Sequence, residues 1–322
     1  MTAPVVNVLV RGNRQKENVD VVTALARERK LYQTDVQGAT YLIETVVRHG
    51  LSTARPYAEQ LMEGVFRLMA VDPDVLEASG EVSYESERVA ALQKQTGAEG
   101  FTEMARAEVA KMWERKFEIS GAYLGCYAAV LKMILIGLEM KGQESAEKVR
   151  VFDNFLLETL GVMQPRLMLI ARLFFAGKMA GLLKATAGNA DFSRKGVFGA
   201  AFDLYITTTS EQLFSMEDAR LAIITTNDHA LADVIQRFNF RAVALMKDGH
   251  IRMYQEWDEE WLDATLGKEA AAALRVQLEE RYAQKFEKGG VEDPDAIIAA
   301  SRELEGKLGV TPDEGQLKSL LA

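Results

Sequence analysis

The sequence predicts a mainly α, multi-helix globular protein with a small α/β element at about residues 197–256. Three observations predict it. Helix start and stop signals recur through the first 190 residues. The stretch 120–140 is apolar on every side and 165–186 carries a broad apolar face, as buried helices do. Beyond residue 190, short runs rich in aromatic and β-branched residues replace that texture. The composition agrees: 48% hydrophobic and 26% charged residues over 322 positions describe an ordinary globular chain.

The elements follow in order. Asp35 caps a helix that runs to His49, with Gly50 just past its end. Asp72-Pro73 sets a capping carboxylate before a proline at the first helical position. Ser83 opens a helix that stops at Gly97, and Thr102 opens a long one. From Glu103 to Glu118 that helix is amphipathic, and from Ser120 its polar face vanishes. A membrane span needs about 20 apolar residues without a central charge. Lys132 sits near the middle of this run, so a central core helix fits better. Pro165 starts the next helix, which is expected to end near Gly188.

After Asn189 the pattern becomes mixed. Phe202–Thr208 has the content of a strand, Ser215–Asp218 matches a capping box, and Ala222–Thr226 reads as a buried strand. Asn227-Asp228 opens a helix through Phe238. Arg241–Met246 reads as a strand that turns at Asp248-Gly249 and returns through Ile251, Met253 and Tyr254. From Trp257 helices resume: one begins at Asp258, one spans Glu269–Lys288, and Asp293-Pro294 and Thr311-Pro312 begin two more. The expected organisation is a helical region over 1–190, an α/β segment over 191–256, and C-terminal helices over 257–322 that pack back on the first region.

Charge and cysteine content restrict the function. The net charge is -9, with 9 Lys/Arg against 16 Asp/Glu in residues 251–322. Residues 1–30 reverse the sign, with 6 Lys/Arg against 3 Asp/Glu. Any contact with nucleic acid must therefore use a local basic face. The single cysteine, Cys126, lies in an apolar helix. One thiol cannot form an internal disulfide, which fits a reducing, cytoplasmic setting. The first residues do not read as a signal peptide.

Catalytic motifs do not stand out. The sequence has no G-x-x-x-x-G-K-S/T loop and no G-x-G-x-x-G after a strand. His49, His229 and His250 are not paired at helical spacing, and one cysteine makes no zinc signature. Two sets of residues remain as candidates. Arg11, Arg14 and Lys16, followed by Arg27, Arg29 and Lys30, form a basic stretch able to contact phosphates. The competing reading is a solvated surface loop.

The second set lies in the α/β segment, where Asp203 falls on a strand, Asp218 at a helix start and Asp228 at a strand-to-helix junction. Carboxylates converging there would hold Mg2+ or Mn2+ for phosphodiester hydrolysis. The string Ile223-Ile224-Thr225-Thr226-Asn227-Asp228 resembles the strand-then-aspartate element of PIN-like nucleases. The likeness covers a short stretch only. The amino-terminal strand of that family ends in an aspartate, whereas here Val8-Leu9-Val10 runs into Arg11-Gly12-Asn13. The competing reading is a helix cap, with Asp228 complementing the helix dipole.

The expectation from these residues is a non-enzymatic interaction or assembly subunit of a larger complex. It would associate with protein partners or itself, contact nucleic acid through its N-terminal basic residues, and need no cofactor. The alternative is the metal-dependent nuclease.

Overall fold

The computed structural model describes residues 2–32, 45, 51–114, 116–161, 165–178, 194–212, 232, 235–236, 238–245, 251–288 and 294–309. The protein is mainly α-helical. Its contacts divide it into two compact units that meet in sequence at Ser120 and Gly121.

The first unit begins with a short helix, α1 (Thr2–Val5), which runs into a π-helical turn over Val6–Val10. The Arg11 amide closes that turn on the Val6 carbonyl, five residues back. Val8-Leu9-Val10 is thus helical rather than extended. Helix α2 spans Lys16–Tyr32 and α3 spans Leu51–Ala70. Helix α3 separates two apolar clusters. Ala58, Met62, Phe66 and Ala70 repeat every four residues and form one stripe. That stripe packs against Leu92 of α5 (Ser86–Thr96) and against Met104, Ala105 and Val109 of α6 (Phe101–Glu114). Leu68 joins Val5, Val8, Leu9, Val22, Ala26, Val71 and Leu76 in the other cluster. At Gly64 a Cβ would sit 3.2 Å from Val5 Cγ1, so glycine lets α3 approach the N-terminal turn.

Helix α4 (Pro73–Ser79) is the short element the sequence marks most clearly. The Asp72 side chain accepts from the amides of Asp74 and Val75, and Gly80 ends the helix at φ 69°. The Gly97 stop is also present, at φ 71°. Two helix starts differ from expectation. Helix α5 begins at Ser86, because Ser83 lends its carbonyl to the Asp72 amide and Tyr84 bridges to Val71. Thr102 lies inside the first turn of α6 and donates its hydroxyl to Glu63 Oε2.

The second unit is built around helix α7 (Lys116–Glu139), whose first residues precede the boundary. Tyr123, Leu124, Cys126–Leu131 and Met133–Ile136 are buried by this chain itself. Helix α8 (Ser145–Asn154) continues through a π-helical turn, Phe155–Thr159, and packs on α9 (Pro165–Phe175). Helix α9 is shorter than the sequence suggests. Gly177 turns left-handed, and the Lys178 amide caps the Leu173 carbonyl.

Helix α10 (Arg194–Gln212) corrects the strand expected over 202–208. Val197, Ala201, Leu204 and Thr207 are buried at helical spacing, and that period outweighs the strand propensity of the same residues. Thr207 satisfies its buried hydroxyl by donating to the Leu204 carbonyl at 2.6 Å. The capping box at 215–218 and the strand at 222–226 lie outside the described residues. The expected hairpin is present. Strand β1 (Phe238–Leu245) pairs antiparallel with β2 (Ile251–Trp257), with a bulge between Phe240 and Ala242. Helices α11 (Glu259–Leu266), α12 (Lys268–Lys288) and α13 (Pro294–Leu308) follow. Asp258 caps α11 by accepting from the Trp261 amide at 2.9 Å. Among the described residues no helix is long and apolar enough to cross a membrane.

Candidate functional site

The basic residues of the N-terminal segment have partners within the first unit. Arg29 is buried. Its guanidinium donates to the Met69 carbonyl and, at 2.9 Å, to the Val71 carbonyl, and lies 3.5 Å from Glu85. Burial lowers its pKa from the ordinary arginine value, against the pull of Glu85. Lys30 sits 2.8 Å from Asp74 and 3.6 Å from Glu85. The hydrogen bond from Lys30 holds the Asp74 carboxyl below its usual range, and the same bond raises the Lys30 ammonium. Arg27 pairs with Glu77. Arg14 donates to the Gly80 carbonyl at 2.5 Å, and Arg11 donates to Gln60 at 3.1 Å. Lys16 is exposed at the start of α2.

Four of these side chains therefore act on one element. Arg14, Arg27, Arg29 and Lys30 reach the segment from Met69 to Glu85, which contains α4. The arrangement ties α2 to the turn where α3 ends. It follows from chain folding: the carboxylates and carbonyls lie 40 to 66 positions away, as with Arg29 to Met69 and Arg14 to Gly80. A scan for local clusters does not see them.

The second unit carries its polar groups inside. Asp153 is fully buried and accepts from Gln277 Nε2 at 2.8 Å and from Arg172 at 3.4 Å. Arg172 also donates to Gln277 Oε1, so one residue each from α8, α9 and α12 closes a small network. Buried Tyr127 donates at 2.5 Å to Glu305 of α13 and stacks on Phe198 of α10, with ring centroids 4.7 Å apart. Lys132 places its ammonium 5.3 Å from the Phe155 ring centroid. Burial lowers its pKa, and the nearby Lys307 charge lowers it further. Cys126 is buried within the same helix.

Asp203 lies midway along α10, half-buried, not on a strand. Asp218 and Asp228 lie outside the described residues. Among the described residues no three His, Cys, Asp or Glu side chains gather as metal ligands would. The chain matches no family model, no curated protein and no solved structure.

Proposed function

We propose that this protein is a non-enzymatic helical subunit that works by binding a partner. The observation that carries the reading is where the reactive side chains go. Arg29, Lys30, Asp153, Arg172 and Glu305 each hold one element of the fold to another through a hydrogen bond. Groups committed in this way position a scaffold and are unavailable to turn over a substrate. The apolar run of α7 is sealed within the second unit, so a partner is not needed to cover it.

The residues available to a partner are those left outside the two cores. Leu31 is 73% exposed, Leu138 57% and Val276 55%, each on a helix whose other side is packed. Apolar side chains presented from rigid helices contribute contact area to a partner without an ordering cost.

Size-exclusion chromatography with light scattering, at low and high salt and with absorbance at 260 and 280 nm, tests the proposal. A species heavier than one chain, or one that captures a partner stoichiometrically, agrees with it. A monomer that turns over a phosphodiester in manganese contradicts it.

A further inference from the structure

We infer that strand β2 pairs edge to edge with β2 of a second copy of this chain, antiparallel about a two-fold axis at Tyr254. The inference rests on the subunit reading and names the partner.

Among the described residues the sheet has two strands, and β2 pairs with β1 alone. Each strand of such a pair keeps an outer edge whose amides and carbonyls the pairing does not use. The two edges differ. Strand β1 carries the bulge between Phe240 and Ala242, and a bulge bends a strand and interrupts further pairing. All seven residues of β2, Ile251–Trp257, pair in unbroken order. The β2 edge is the one suited to accept another strand. The register also sorts its residues by face. Ile251, Met253 and Trp257 share one face with their β1 partners Leu245, Val243 and Phe238. Arg252, Tyr254 and Glu256 share the other.

Strand β2 is complementary to itself. Antiparallel pairing of all seven residues with a second copy sets Tyr254 opposite its own counterpart. It sets Arg252 of each copy opposite Glu256 of the other, Met253 opposite Gln255, and Ile251 opposite Trp257. The two-fold axis repeats each contact, so two pairs of opposite charge form at once. The apolar positions stay on one face of the resulting four-stranded sheet and the charged ones on the other. A one-residue slip sets Met253 opposite Tyr254 and mixes the faces. A two-residue slip sets Arg252 or Glu256 opposite Tyr254 and loses both charge pairs. A foreign strand has no need of this symmetry about the midpoint of β2, whereas a second copy uses all of it.

Sedimentation equilibrium of the full chain over a concentration series, at low and high salt, tests the inference. A dimer that weakens with salt is expected. Arg252→Glu and Glu256→Arg should each weaken it about tenfold or more at low salt, because each turns two attractions into two repulsions. Mixed one to one, the two variants should form a heterodimer of near-parental affinity, which also shows that both are folded. The double variant, Arg252→Glu with Glu256→Arg, should dimerise by itself again. A monomer at every concentration overturns the inference and leaves the subunit reading to its own assay in manganese. A dimer that the single reversals leave intact also overturns it, yet agrees with the subunit reading through another surface. Single variants that fail to recover on mixing overturn the pairing as well.

Discussion

The two units solve the same problem with opposite means. The first, up to Ser120, joins its elements with charged side chains, from the exposed Lys30 to the buried Arg29, and Arg67 also reaches across to another element. Arg67 lies 5.2 Å from the Phe101 centroid and donates to the Tyr84 hydroxyl at 2.7 Å. The second unit surrounds a helix that is apolar over most of its length and closes its polar groups inside, as with Asp153 and Glu305. Charges at a surface are individually weak and sensitive to salt and pH, whereas buried polar groups are costly to disturb. The comparison predicts unequal responses to mutation.

The largest effect is expected in the second core. Leu131→Ala removes a fully buried side chain from α7 and should cost roughly 2–5 kcal/mol in a denaturant titration. Arg172→Ala leaves the buried Asp153 with Gln277 as its named partner and should cost about 3 kcal/mol. Replacing both members of that pair, Asp153→Leu with Arg172→Met, should cost less than Arg172→Ala alone. In the first unit, Asp72→Ala removes the α4 cap and should cost about 1 kcal/mol.

Effects of pH should be smaller, and those of Lys30 in the first unit and Lys132 in the second should be of opposite sign. Asp74 titrates below its ordinary value of 3.8 when folded, so its contribution is present above that value and is lost as pH falls through the folded pKa. Lys30 titrates above 10.5 when folded, so its contribution holds below that value and is lost as pH rises through the folded pKa. Lys132 is the reverse case. Burial lowers its pKa, so its charge opposes folding below the folded pKa, and stability should rise as pH climbs from there toward 10.5. Lys132→Met should abolish that rise in melts recorded across alkaline pH.

Local signals in the sequence were legible, and tertiary ones were not. The Asp72-Pro73 start, the Gly97 stop, the Asp258 cap and the hairpin were all readable because each depends on residues within a few positions. The burial of the 120–140 helix was readable from its missing polar face. Residues 202–208 misled because a seven-residue window emphasises β-branched content, whereas the buried spacing appears only when the window opens at Val197. Thr102 looked like a cap because its true partner, Glu63, stands 39 positions away. The roles of the basic residues were hidden for the same reason, since nothing near Arg29 in sequence announces the carbonyls of Met69 and Val71.

Native-state hydrogen exchange on the full chain, comparing Arg29→Met with the parent, tests most directly the claim that these charges brace the fold. The bridge that Arg29 supports bonds the Asp72 amide to Ser83 and the Glu85 amide to Ala70. Loss of protection at Asp72 and Glu85, with the second unit unchanged, is the predicted result. Unchanged protection at both amides would contradict the account and return Arg29 to the surface as a residue for binding.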